Sequence, residues 1–435
     1  MLCVLTMFLM VSTASYAAAP TTQVDALIEK LIDKGILTRD EAENLKGQIS
    51  YDAGTIQESN MKKGLPDWVQ NLKVSGDFRL RDQYERRNLR TSPIFDRNRA
   101  RIRARLSFED QINDKVKVVV GIATDGGKSR SNNETLGGNS TSFDAFGKAG
   151  VVLNKGYAVY TPNDKVTLIG GKMDNPIWEP GTMPLLWKPD ITPEGGAIQL
   201  EKKLNAYITP FTTNAAFILH DAAPTAALRT QPYMFVSQGG IKGNLTEKAY
   251  YKAAASYYNV NNPSHFKLTT ALGINTLDST GTVLNYNYNA IVGAVDFGLN
   301  DPFGEMLPSP LYIPQIGVFG EYVRNPDPSH NNAGWQMGAY MGNSSINGFG
   351  TWRLQSYYRV LERDAWLDVL PDDDFYSGNT DTSGLRTQLD IGLAKNIWLM
   401  LAWYHTRIYK TFDSPTALTQ KAPENLIQAD INFRF

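Results

Sequence analysis

From residue 66 to the C-terminus the sequence alternates between apolar and polar side chains with a period of two, and that pattern limits the fold more than any other feature. In residues 74–85 the even positions include Val74, Gly76, Phe78, Leu80 and Tyr84, whereas the odd ones are Ser75, Asp77, Arg79, Arg81, Gln83 and Glu85. A strand turns successive side chains to opposite faces, so this segment is predicted to be a strand with one apolar and one charged face. Residues 97–106 repeat the pattern, with Arg97, Arg99, Arg101, Arg103 and Arg105 on one side. At the C-terminus Ile427, Ala429, Ile431, Phe433 and Phe435 alternate with Gln428, Asp430, Asn432 and Arg434.

A soluble sandwich also alternates, so the loops must decide the class. Sixteen strands are predicted, beginning near Leu72, Arg97, Lys115, Lys148, Lys165, Gly195, Ala206, Tyr233, Lys248, Tyr286, Gln315, Gly334, Gly348, Gly384, Ile397 and Asn425. Short turns at 113–114, 162–164, 204–205, 244–247, 343–347 and 395–396 alternate with long polar loops at 86–96, 126–146, 175–194, 220–232, 261–285, 325–333, 362–383 and 411–424. One short turn is replaced by a Pro-rich stretch at 300–314, where either the turn is extended or the strand count slips. An even set of antiparallel strands with short turns at one end and long loops at the other is the layout of a transmembrane β-barrel of the outer membrane. Closure also removes the exposed edges of so long a meander. Mean hydropathy of -0.31 and 20% charged residues exclude a multi-span helical membrane protein. The balance of 43 Lys+Arg against 44 Asp+Glu gives no basic surplus for a nucleic-acid partner. Trp398, Trp403, Tyr404 and Tyr409 suit the aromatic girdles of a barrel.

The segment before the barrel reads differently. Residues 1–19 have the apolar run and small residues of a secretory signal peptide, although no Lys or Arg precedes Lys30; an uncleaved anchor is the alternative. The lone Cys3 would leave with it, and the mature chain would hold no thiol. In residues 20–64, Val24, Leu27, Ile28, Leu31 and Ile32 form a helical apolar stripe, Thr38 and Glu41 make a capping box for a second short helix, and 50–64 reads as a linker. The expected division is therefore 1–19 signal, 20–64 periplasmic helical segment and linker, and 65–435 barrel. Such helices should pack on another copy or on the main domain; a mere spacer is the alternative.

The run Lys34-Gly35-Ile36-Leu37-Thr38, the Arg-rich second strand, the stretch Gly171-Lys172-Met173-Asp174-Asn175-Pro176-Ile177-Trp178 and the aromatic C-terminus resemble the Gram-negative family labelled putative porin. The resemblance covers nearly all of the chain after the signal. It implies a sixteen-stranded diffusive channel in the outer membrane, trimeric as in general porins, in contact with lipid and lipopolysaccharide. It also implies assembly by the barrel insertion machinery through a C-terminal signal at Phe433 and Phe435.

A barrel of this size leaves a water-filled lumen, so its lining must be polar and the charges there set the field a solute meets. Arg79, Arg81, Arg99, Arg101, Arg103 and Arg105 have inward parity on adjacent strands, and Arg353 and Arg359 extend the set. The alternative is that these arginines pair with Asp77, Glu85 or Glu109. By resemblance the third long loop, with Trp178, Glu179, Trp187, Asp190 and Glu194, is the candidate constriction; a loop packed over the outer rim is the alternative. Glu179, Asp190 and Glu194 facing the arginines would set up a transverse field, with a lean toward anions. The expected function is passive diffusion of small polar solutes and ions. A sugar- or oxyanion-selective barrel and a secreted β-rich binding protein are the alternatives.

No enzyme signature stands up. Gly126-Gly127-Lys128-Ser129 lacks the first glycine of a phosphate loop, where Ile122 stands, and His220, His265, His330 and His405 form no metal or nucleophile motif. Asp372, Asp373 and Asp374 are expected to form a solvated external loop, with a surface cation as the alternative. No cofactor or metal is expected.

Overall fold

The computed structural model describes residues 66–87, 95–126, 131–138, 147–220, 231–261, 274–279, 281, 283–306, 312–410 and 423–435. The chain divides into two units, 1–71 and 72–435. In the first, only 66–71 are described, and they hold a one-turn helix, α1 (Asp67–Asn71). The predicted signal peptide and the helices of 20–64 lie outside the described residues.

The second unit is a closed antiparallel barrel. Its wall strands are β1 (Lys73–Arg87), β2 (Phe95–Asn113), β3 (Val116–Thr124), β5 (Val151–Asn163), β6 (Val166–Lys172), β7 (Glu194–Glu201), β8 (Thr209–Ile218), β9 (Tyr233–Asn244), β10 (Ala249–Val260), β11 (Ile291–Asn300), β12 (Gln315–Arg324), β13 (Ala333–Gly342), β14 (Trp352–Leu361), β15 (Thr382–Ala394), β16 (Ile397–Ile408) and β17 (Glu424–Arg434). Each pairs with its chain neighbours, and β1 also pairs with β17, placing Arg81 opposite Asp430 on one side and Arg101 on the other. The two-residue strand β4 (Glu134–Thr135) pairs with Arg101 and Ile102 of β2, beyond the stretch that β3 covers. So short a strand leaves no periodic signal to read.

Strand starts fall within a few residues of expectation, because the pleat and the turn chemistry are both local. Asn205 moves the start of β8 from 206 to Thr209: its side-chain oxygen accepts the backbone N–H of Tyr207 and of Ile208, both at 2.8 Å, which holds a turn. Across the segment 300–314, β11 and β12 pair directly as consecutive strands, and its described residues include a short 3₁₀ piece, Gly304–Met306, so the strand count does not slip.

Parity separates the two faces. On β12 and β13 the inward set includes Phe319, Glu321, Val323, Gln336 and Tyr340, all buried. Outward stand Val318, Tyr322, Trp335 and Met337, the last 67% exposed. Val295, Phe297, Leu401, Trp403 and Ile427 on other strands are exposed in the same way. An apolar belt of this extent suits lipid rather than water, which decides between a membrane barrel and a soluble sandwich. The proposed girdle needs one correction. Trp403 faces out, but Tyr404, its neighbour, must face in, and it is fully buried against Phe375; Trp398 shares that parity and lies under Arg434.

The barrel interior is not empty. One apolar cluster joins Leu185, Leu186 and Trp187 to Phe217, Met234, Tyr258 and Trp366, and a second joins Phe375 to Phe319, Tyr357 and Tyr404. Both are built where two long loops, 173–193 and 362–381, fold onto the inner wall.

Candidate functional site

The predicted arginine face exists, and its register explains its chemistry. Across β1 and β2, Arg79 stands opposite Arg103 and Arg81 opposite Arg101. Like charges directly opposite destabilise a ladder, so carboxylates must intervene. Asp77 takes Arg103 at 2.8 Å and Arg105 at 2.7 Å. Glu85 takes Arg99 at 3.0 Å. From β17, Asp430 accepts a two-pronged bond from Arg81, Nε and Nη2 each at 2.8 Å, and lies 3.5 Å from Arg79. Arg101 instead donates to the backbone oxygen of Asn133 at 3.1 Å and to Gln83 at 3.4 Å. The alternative of paired arginines therefore holds for Asp77 and Glu85. It fails for Glu109, whose ion-pair partners are Lys73 and Lys117.

The third loop is bonded along the inner wall of the barrel. Five prolines, at 176, 180, 184, 189 and 193, offer no N–H for a ladder. The backbone is instead bonded to inward side chains of successive strands. Gln238 on β9 accepts the N–H of Trp178 at 3.0 Å and donates to its carbonyl at 2.8 Å. Glu321 on β12 accepts the N–H of Leu185 at 2.9 Å. Gln336 on β13 donates to the Met183 carbonyl at 3.0 Å, and Arg359 on β14 to the Pro184 carbonyl at 2.7 Å. Trp187 packs edge-on between Phe217 and Trp366, and Trp366 donates its indole N–H to the Leu186 carbonyl at 3.0 Å.

Of the three acids expected to face the arginines, only Asp190 lies within ion-pair distance of one among the described residues. It lies 3.3 Å from Arg103, 3.4 Å from Arg105 and 3.9 Å from Lys188. Burial alone would raise its pKa, but Arg103, Lys188 and Arg105 outweigh that and hold the carboxyl well below the usual range. Glu194, the first residue of β7, pairs with Lys172 at 2.7 Å. Glu179 meets another carboxyl, Glu321, and burial together with that like charge raises its pKa well above the usual range.

The acidic triad was expected outside, and the structure places it inside. Asp374 bonds Arg81 at 3.0 Å, Asp373 pairs with Lys188, and Asp372 accepts the Tyr404 hydroxyl at 3.3 Å. Their oxygens lie within 4.8 Å of one another, yet two of the three already have a cation, so the triad serves the loop contact rather than a surface ion.

A closed barrel with a charged lumen and an inwardly folded third loop can now be set beside known proteins. The family described as putative porin matches residues 86–292 and 320–435, well over half of the chain. The chain belongs to that family. Among solved structures the porin resembles Pseudomonas putida OprB at high pH, with 8% identity, a TM-score of 0.52, and 88% of this chain and 97% of that one covered; this likeness is one of fold. The outer-membrane channel DcaP of Acinetobacter baumannii matches at 13% identity and a TM-score of 0.43, covering 84% and 97%. A triple mutant of Rhodopseudomonas blastica porin matches at 12% and 0.40, covering 84% and 100%. No curated protein matches the chain.

The remaining predicted residues of the porin fall where parity puts them. Arg353 lies over the Tyr340 ring at 4.3 Å, and Arg359 over the Phe375 ring at 4.7 Å, both inward. Arg386 was missed, although its place in the alternation Leu385, Arg386, Thr387, Gln388 marks it as inward. It is buried over the Tyr404 ring at 5.0 Å, bonded to Gln388, and has no carboxylate within ion-pair distance among the described residues. At the C-terminus, Phe433 packs on Phe78 with centroids 6.0 Å apart, and Phe435 is 62% exposed. His405 faces outward and bonds Asn425 at 2.9 Å. Residues 127–130 of the glycine-rich stretch lie outside the described residues.

Proposed function

We propose that this porin passes small hydrophilic solutes and ions by passive diffusion through a lumen narrowed by residues 175–194. The observation that carries this reading is the seating of that loop across the inner wall, with Asp190 against Arg103 and Arg105. Solutes pass alongside the loop and the face built from Arg79, Arg81, Arg99, Arg101, Arg103 and Arg105, which Arg353 and Arg359 on β14, four strands round from β1, extend. Trp178, Glu179, Trp187, Asp190 and Glu194 belong to the constricting segment, but its transverse field comes mainly from Asp190 and the triad Asp372 to Asp374. Because most of the wall arginines are paired, ion selectivity is weak. The lean to anions comes from Arg353, Arg359 and Arg386, for which the described residues offer no carboxylate within ion-pair distance.

The chain reaches the outer membrane by way of a signal peptide at 1–19. It is inserted by the barrel assembly machinery through Phe433 and Phe435, and it associates as a trimer among lipid and lipopolysaccharide. It performs no catalysis. Single-channel recording of the refolded chain in a planar bilayer under a salt gradient tests the transport reading. Discrete ohmic steps with a small reversal potential toward the anion are expected; a folded barrel without steps would refute it. Sizing in detergent with and without residues 24–49 tests whether those helices take part in assembly, and an unchanged oligomer would discard that role.

A further inference from the structure

On the wall opposite the arginine face, Trp178 from the third loop and Phe211 from β8 meet edge to face, with ring centroids 6.5 Å apart and planes at 85°. Lys252 on β10 places its ammonium 4.6 Å from the Trp178 centroid and 4.8 Å from that of Phe211. Among the described residues it has no carboxylate within ion-pair distance, whereas its neighbour Lys242 is paired with Glu201 at 2.7 Å. Cavities of about 520 and 540 Å³ flank this corner, and Trp178 and Lys252 line both. We infer that the corner is a binding site for small ring carboxylates, compounds with one flat ring and one carboxylate, and so names a solute class for the channel.

The chemistry follows from what is already satisfied and what is not. An ammonium over two ring faces gains from the ring quadrupoles but has no carboxylate at ion-pair distance among the described residues; Asp296, opposite it on β11, and Glu201 act on it only from farther off. A carboxylate supplies the anion, and a flat ring extends the edge-to-face pair, which favours aromatic over open-chain acids. A hydroxyl-rich sugar would need many open hydrogen-bond partners, but three of the polar side chains beside the rings are engaged. Gln199 donates to the Pro176 carbonyl, Asn175 accepts the N–H of Ile177, and the Thr212 hydroxyl donates to the Gln238 carbonyl. The corner joins two aromatic rings to an ammonium without an ion pair, and the cavities beside it also carry Glu201 and Asp296, which confine an incoming carboxylate to the Lys252 side. Lys252 lies three residues from the start of β10, near a short turn, so the site sits toward the short-turn end of the lumen.

The inference rests on the channel reading for its route of access, and the test separates the two. Benzoate binding to the full chain folded in detergent is measured by equilibrium dialysis, alongside bilayer recording of the same preparation. Saturable binding is expected. Lys252→Gln and Trp178→Leu should each weaken it at least tenfold, and neither acetate nor benzyl alcohol should compete at concentrations where benzoate saturates. Heat-modifiable migration reports folding of each variant; if Trp178→Leu does not fold, Phe211→Leu reads the same corner. Absent binding, binding unchanged in the folded variants, or competition by glucose or benzyl alcohol as strong as by benzoate itself would overturn the site. Conductance steps without benzoate binding would sink the site and leave the channel, whereas binding without steps would do the reverse.

Discussion

Replacing Asp190 by Asn removes the one negative charge of the third loop that touches the arginine face, while keeping its shape. No cation is orphaned, because Arg103 and Arg105 keep Asp77 at 2.8 and 2.7 Å and Lys188 keeps Asp373. At 3.3 Å the attraction to Arg103 is about 5 kcal/mol with an effective dielectric constant of about 20, much of it offset by the cost of burying both groups. A net loss of about 1–3 kcal/mol in loop docking follows, so the barrel should still fold. The larger effect is on permeation. A unit charge about 5 Å from the ion path contributes about 0.4 kcal/mol in water after screening over a Debye length of about 8 Å. Anions then gain about twofold and cations lose about twofold, so the anion-to-cation permeability ratio should rise about fourfold. Reversal potentials in a KCl gradient measure this. A ratio unchanged in a variant with normal heat-modifiable migration would refute the placement of Asp190 beside the ion path. The wild-type carboxyl is held below the usual range, so its contribution is present above about pH 4 and is lost only as pH falls through the depressed value. Reversal potentials between pH 7 and 5 should therefore show no step from this group.

Trp366→Ala should cost about 3–5 kcal/mol by opening a cavity beneath Trp187 and Tyr258, and should also free the Leu186 carbonyl. Single-channel conductance should rise and become noisier as the third loop loosens. Asp381 is a second pH-sensitive group: burial, only partly offset by Arg363 and Lys410, raises its pKa to about 7. Because the folded value is raised, the loop contact is fully stabilised below about pH 4 and weakens as pH rises through 7, so hydrogen-exchange protection in 362–381, corrected for the base-catalysed intrinsic rate, should fall from pH 5 to 8 and lose that dependence in Asp381→Asn. Deleting Phe435 should lower insertion into membranes in a cell-free assembly assay; unimpaired insertion would remove the C-terminal signal.

What could be read in advance needed only local geometry. The pleat assigns Arg79, Arg81 and the odd arginines of β2 to one face without knowledge of any partner, and the same rule marks Asp430, Arg386 and Tyr404 as inward. Tyr404 departs from the girdle expectation because an aromatic type suits a girdle on either parity, whereas the even positions of β16 face inward. Turn chemistry set the strand ends just as locally, as at Asn205. The stretch after Asn300 is ambiguous in sequence because a Pro-rich segment fits either a turn or a missed strand.

The sequence alone determined the sixteen strands, their two faces and the alternation of loop lengths, since a period of two and the cost of an open sheet edge act on every short segment independently. Only the tertiary structure decided which charges meet. Arg81 finds Asp374 and Asp430 at separations of 293 and 349 residues, and Lys188 finds Asp373 at 185. Three consecutive aspartates look solvated when read along the chain, because a charge run without visible counter-charges is cheapest in water. Asp372 and Asp374 are buried here and Asp373 partly so, because barrel closure brings Arg81 to one side and the folded third loop brings Lys188 to the other.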